Sequence, residues 1–76
     1  MSVKIYSTPS CVYCNMAKDY FRKNNISYQD YNVAGDFQKA REMSDKSGQM
    51  GVPVIDINGK IIVGFNRDAV EKALHR

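Results

Sequence analysis

The chain is poor in the features that would mark many protein classes. No apolar stretch approaches the ~20 residues that a membrane-spanning helix needs, so no membrane association is expected. The opening residues Met1-Ser2-Val3-Lys4-Ile5 show neither the apolar segment nor the cleavage site of a secretory leader, and a cytoplasmic protein is expected. There are no internal repeats, low-complexity tracts or linkers. Charge is not strongly biased: eight acids are interleaved with eleven Lys and Arg, for a net charge of +3. The tightest basic cluster, Lys18, Arg22 and Lys23, reads as a solvated helix face. No nucleic-acid-binding motif accompanies it. A mild positive field remains available to attract acidic thiols or an acidic patch on a partner.

Potential metal ligands are scarce too. The chain has two cysteines and one histidine, His75 near its far end. Structural zinc needs four ligands, so no metal site is expected within one chain. A metal or iron–sulfur cluster shared by two chains is the alternative for the cysteines.

What the chain does hold is concentrated. Its 76 residues make a single domain, 1–76, with 43% apolar and 25% charged residues, an ordinary globular composition. A chain of this size buries only roughly 60% of its unfolded surface, so the core must be simple. Val3-Lys4-Ile5-Tyr6-Ser7 alternates and is rich in strand formers. Thr8-Pro9-Ser10 ends that strand, with Ser10 as the expected helix N-cap. Val12, Met16, Ala17, Tyr20 and Phe21 recur at helical spacing up to about Asn24, where Asn24-Asn25 ends the helix. Ile26 to Asn32 reads as a second strand. Ala34-Gly35-Asp36 leads into a second helix, with Phe37, Ala40 and Met43 on one face and Ser47-Gly48 at its end. Asn58-Gly59 between Val54–Ile57 and Lys60–Val63 marks a type I′ hairpin. Asn66 caps a last helix that turns Ala69, Val70, Ala73 and Leu74 inward. The order β-α-β-α-β-β-α, with a parallel βαβ start and an antiparallel hairpin, predicts an α/β thioredoxin-like fold around a four-stranded mixed sheet.

Cys11 and Cys14 flank Val12-Tyr13 at the start of the first helix. Residues at i and i+3 share a helix face roughly 5 Å apart, within disulfide reach. So short a loop makes a poor structural staple but a plausible two-electron redox pair. At a helix start, free N–H groups and the helix dipole favour a thiolate, the reactive species. Cys11 is therefore the expected nucleophile. Cys14, one turn deeper, is the expected resolving thiol. Lys18, roughly two turns from Cys11 on the same face, can add positive potential there; a solvated helix lysine is the alternative. Tyr13, between the cysteines, is expected to be exposed and to shape the substrate surface. Val52-Pro53 directly precedes the third strand. Beside a redox pair in this topology it reads as a cis peptide that exposes the Val52 backbone to an extended substrate.

Tyr6 through Cys14, Ser47-Gly48 followed by Val52-Pro53, Asn58-Gly59-Lys60, and Gly64 before the last helix together resemble the glutaredoxins over nearly the whole chain. The resemblance implies a dithiol thiol–disulfide oxidoreductase that reduces protein disulfides or glutathione mixed disulfides. Cys11 attacks, Cys14 resolves, and a cis Val52-Pro53 contacts the substrate. It implies glutathione as electron donor and no tightly bound cofactor. It also places Asn66, Arg67 and Asp68 at the substrate-binding start of the last helix. Three departures bear on glutathione. Thr8 stands where the family often has a lysine. Phe65 replaces a glycine. Arg67 replaces an acid that meets the glutamyl end of glutathione; a charge-assisted hydrogen bond of that kind is worth roughly 1.5–3 kcal/mol. These departures resemble the glutaredoxin-like proteins reduced by a flavoprotein of the thioredoxin reductase type, which donate electrons to ribonucleotide reductase or a peroxidase.

Overall fold

The strand Val3–Ser7 (β1) is buried along nearly its whole length rather than on alternate residues. The reason is its place in the sheet. In the computed structural model, which describes residues 2–75, β1 is flanked by Gln29–Asn32 (β2) and Val54–Ile57 (β3), in the order β2-β1-β3-β4 with Lys60–Val63 as β4. β1 runs parallel to β2 and antiparallel to β3, and β3 runs antiparallel to β4. This is the four-stranded mixed sheet expected from the sequence.

Side chains of the two central strands alternate between two cores. Ile5 pairs with Ile55 on one face, joining Phe21 of α1 (Val12–Lys23) and Val70 of α3 (Arg67–Ala73). Tyr6 pairs with Val54 on the other, joining Met43 of α2 (Phe37–Ser47). Two helices therefore cover one face of the sheet and one covers the opposite face. Among the described residues no helix is long and apolar enough to cross a membrane.

Local chemistry explains the boundaries. Asn24 caps the end of α1, and Asn25 follows in the left-handed region at φ 56°. The Asn25 and Ile26 amides return to the carbonyls of Arg22 and Phe21 at 3.2 and 2.8 Å, a Schellman closure. Ile26, buried, is spent on this closure, so β2 begins at Gln29 and not at Ile26 as its apolar character suggests. Gly48, at φ 74°, ends α2 in the same left-handed region. Asn58 and Gly59 both have positive φ, 52° and 91°, the type I′ requirement. Asn66 Oδ1 accepts from the Ala69 amide at 3.1 Å, the expected cap of α3.

Not every apolar residue at helical spacing on the first two helices is buried. Val12 and Met16 are exposed at 69% and 46%, and Phe37 at 85%. Helical phase accounts for this: at 3.6 residues per turn Val12 lies roughly opposite the buried Phe21, and Phe37 about 120° from the buried Met43. The basic cluster on α1 also divides. Arg22 pairs with Asp19 in the open, but Lys18 is largely buried against Asp30.

Candidate active site

β1 delivers the chain to a tight turn, where the Cys11 amide returns to the Thr8 carbonyl at 3.4 Å. Cys11 is extended at φ −93°, ψ 115°, and its carbonyl accepts the first helical bond, from Asn15, at 3.1 Å. Cys11 itself is therefore the N-cap of α1, where the sequence pointed to Ser10. An N-cap side chain normally offers oxygen to the amide at the third helical position. Here sulfur takes that role: the Cys14 N–H donates to Cys11 Sγ at 3.2 Å. The correction strengthens the electrostatic argument, because the sulfur lies directly at the donor end of the helix.

The two thiols are unbonded and differ sharply in access. Cys11 is half-buried and Cys14 fully buried. Burial, followed by the hydrogen bond with Cys11, pushes the Cys14 thiol up to about 11, against smaller opposing effects of the Thr8 backbone and Lys18. The pair thus presents one reachable sulfur and one protonated sulfur behind it.

A second loop faces Cys11. The Val52–Pro53 peptide is cis, and Cys11 Sγ lies 3.9 Å from the Val52 carbonyl oxygen. Pro53 is buried, and its carbonyl accepts from the Gly64 amide at 2.8 Å. That bond fastens the loop to the turn leading into α3. Tyr13 is 61% exposed beside the cysteines and forms an apolar rim with Val12 and Met16.

Cys11, Cys14, Val52 and Pro53 are thus brought together. The turn before α3 is tied to them through the Gly64 amide. The Asn66 side chain is committed to its capping bond. Asp68 is exposed in the first turn of α3. Arg67 Nε lies 3.7 Å from Glu71, and its guanidinium lies 5.6 Å from the Tyr20 ring, so its contacts lie on the α1–α3 side and not at the cysteines.

One cluster was not legible in the sequence. Lys18 Nζ pairs with Asp30 at 2.7 Å, with only 12% of the Lys18 side chain exposed. The buried Ser7 hydroxyl donates to the other Asp30 oxygen at 2.6 Å. No spacing rule links residues 7, 18 and 30; the parallel pairing of β1 with β2 beneath α1 brings them together.

A cysteine-capped helix beside a cis-proline loop, on a sheet of this order, defines a redox protein of thioredoxin-like fold. The comparisons narrow this class. The glutaredoxin family model matches residues 3–62. An uncharacterized glutaredoxin-like 8.6 kDa protein in the rubredoxin operon of Clostridium pasteurianum is 47% identical over 74 residues, covering 97% of this chain and 99% of that protein. Glutaredoxin 3 of Escherichia coli K12 is 35% identical over 63 residues, covering 83% of this chain and 76% of that one. The solved structure of the glutaredoxin-like protein NrdH-redoxin from Escherichia coli superposes with a TM-score of 0.86 at 22% identity, over 95% of this chain and 93% of that one. The chain belongs to the glutaredoxin family.

Proposed function

We propose that the protein is a dithiol thiol–disulfide oxidoreductase that reduces protein disulfides or glutathione mixed disulfides. The observation that carries this reading is the capping bond from the Cys14 amide to Cys11 Sγ at 3.2 Å, with Cys14 sealed behind it. Cys11, as thiolate, attacks one sulfur of the target disulfide. That S–S bond breaks, one target thiol leaves, and a Cys11–target disulfide forms. Cys14 then attacks Cys11 Sγ, releasing the second target thiol and leaving the Cys11–Cys14 disulfide. The target gains two electrons and the protein loses two. The Val52 backbone and the rim of Tyr13, Val12 and Met16 supply the surface on which a target segment lies.

The test is a pair of variants. Cys11→Ser abolishes turnover of a disulfide substrate. Cys14→Ser accumulates a mixed disulfide with it, detectable by mass spectrometry, and retains deglutathionylation, which needs one thiol. Turnover that survives in Cys11→Ser sinks the assignment.

A second reading concerns the electron donor. Arg67 offers a cation where a glutathione-using protein presents an acid to the glutamyl ammonium, and Thr8 offers no charge for a glutathione carboxylate. Reduction by a flavoprotein of the thioredoxin reductase type, serving ribonucleotide reductase or a peroxidase, suits these residues better. The fold neighbour NrdH-redoxin is itself described as having a thioredoxin-like activity profile. Parallel assays with glutathione plus glutathione reductase, and with thioredoxin reductase plus NADPH, separate the donors. Efficient turnover in the glutathione arm alone rejects the flavoprotein.

A further inference from the structure

The resolving step asks a fully buried thiol to carry a negative charge. Desolvation opposes this, and the burial that protects Cys14 from solvent also slows its attack. A cation close behind it would relieve the conflict.

Lys18 is placed to do so. It follows Cys14 by one helical turn, and residues at i and i+4 lie roughly 5–6 Å apart at Cβ. Long helix side chains lean back toward the preceding turn, here toward Cys14. Lys18 is not a loose surface group: its side chain is only 12% exposed, and Asp30 on β2 holds its ammonium at 2.7 Å. Asp30 is held in turn by the buried Ser7 hydroxyl at 2.6 Å. Ser7 precedes Thr8, whose backbone contacts Cys14. Two routes thus lead to the resolving residue, one from Lys18 a helical turn away and one from Ser7 through the adjacent Thr8.

We propose that Lys18, anchored by Asp30 and Ser7, is the positioning residue that supplies the counter-charge to the Cys14 thiolate as it attacks the Cys11 mixed disulfide. This rests on the dithiol reading above. In that step the Cys14–Cys11 S–S bond forms and the Cys11–target S–S bond breaks. The electron pair leaves on the target sulfur, which takes up the proton that Cys14 gave up. The titratable groups acting on Cys14 are Cys11 and Lys18 on α1, with Asp30 of β2 acting through Lys18. Removing Lys18 raises the pH at which Cys14 ionises. Each unit of that rise cuts the thiolate population about 10-fold at neutral pH. A more basic thiolate is also more nucleophilic, with a Brønsted slope of about 0.4–0.5, so the net slowing is about 3–4-fold per unit. Above the new ionisation point the slowing vanishes or reverses.

The experiment reads the step in isolation. The Cys11 mixed disulfide with thionitrobenzoate is formed on the full chain, and its release by Cys14 is followed by stopped-flow absorbance across pH. Lys18→Met is expected to close more slowly at neutral pH, by ~3-fold for each unit of displacement, with its profile displaced to higher pH. Lys18→Arg restores the wild-type profile. The double variant Lys18→Met/Asp30→Asn leaves no carboxylate without its partner, and slows in the same way if charge is the cause. Release from both Met variants at the wild-type rate, with an unshifted profile, overturns the proposal. A uniform slowing at every pH also overturns it, because a structural defect acts that way. Wild-type protein that releases no thionitrobenzoate sinks the dithiol reading itself, a result distinct from either.

Discussion

The Cys14 amide donates to the sulfur of Cys11 at 3.2 Å, so the backbone of the buried cysteine holds the side chain of the reachable one. Their positions at and one turn inside a helix start already imply that the two thiols differ. The fold separates them by access: Cys11 is half-buried, while Cys14 is fully buried and burial pushes its thiol up to about 11. Alkylation should register the difference. Iodoacetamide at neutral pH is expected to modify Cys11 at least ~100-fold faster than Cys14, because only a thiolate in reach of reagent reacts. Peptide mapping checks this, and denaturant should bring Cys14 into the labelled set.

Beneath α2 a second polar cluster bears on stability rather than chemistry. Lys46 donates to Asp56 at 2.8 Å and to the Tyr6 hydroxyl at 2.9 Å, and the Tyr6 hydroxyl donates to Glu42. Asp56 is 7% exposed. Lys46→Met strands that carboxylate, and is expected to cost about 2 kcal/mol in urea unfolding. This is less than the ~3–5 kcal/mol of a fully buried pair, because Lys46 keeps part of its hydration.

The same cluster predicts a pH window. Burial raises Asp56, but the hydrogen bond from Lys46, the Gly59 amide and nearby cations outweigh it, so its carboxyl ends below the usual range. The hydrogen bond with Tyr6 likewise lowers Glu42. Their stabilisation is present above about pH 4 and lost as pH falls through the folded values. On the alkaline side the hydrogen bond to Asp56 raises Lys46, and burial raises Tyr6. Their stabilisation holds up to about pH 10 and is lost as pH rises through the folded values. Thermal unfolding across pH should show a plateau between these limits, with Lys46→Met losing the part of the alkaline shoulder that Lys46 contributes and keeping that of Tyr6.

Two apolar residues of α2 should behave in opposite ways because they lie about 120° apart around the helix. Met43 is fully buried beneath the sheet, while Phe37 is 85% exposed. Met43→Ala is expected to cost about 2–5 kcal/mol. Phe37→Ser should stay within about 0.5 kcal/mol of wild type. Denaturant midpoints decide the pair.

Asn66 stands at the entry to α3 and caps it through its side chain. Asn66→Ala should lose about 1 kcal/mol, and Asn66→Ser should recover most of it. If Asn66 also contacts substrate, Asn66→Ser will show a raised KM with stability intact, a result that kinetics and unfolding together can read.

The order of elements, the hairpin at Asn58-Gly59, the cap at Asn66 and the redox pair could be read from the chain, because each rests on contacts between near neighbours. Turn residues, capping groups and cysteine spacing act over a few positions, so they carry their meaning in linear sequence. The cis Val52–Pro53 peptide was legible only beside the cysteine motif. The error at Ile26 arose because an apolar residue can close a helix as well as open a strand, and only the returning bonds to Phe21 and Arg22 distinguish the two.

By itself, then, the sequence determined what chemistry this protein carries: a two-cysteine redox pair at a helix start in a four-stranded α/β frame. Tertiary structure decided how the two sulfurs differ. It made Cys11 the helix cap, buried Cys14 behind it, set the Val52 carbonyl against the reachable sulfur, and gathered Lys18, Asp30 and Ser7 from three elements behind the other. Burial and electrostatic pairing are properties of groups close in space. Residues 7, 18 and 30 become neighbours only when β1 and β2 lie parallel beneath α1.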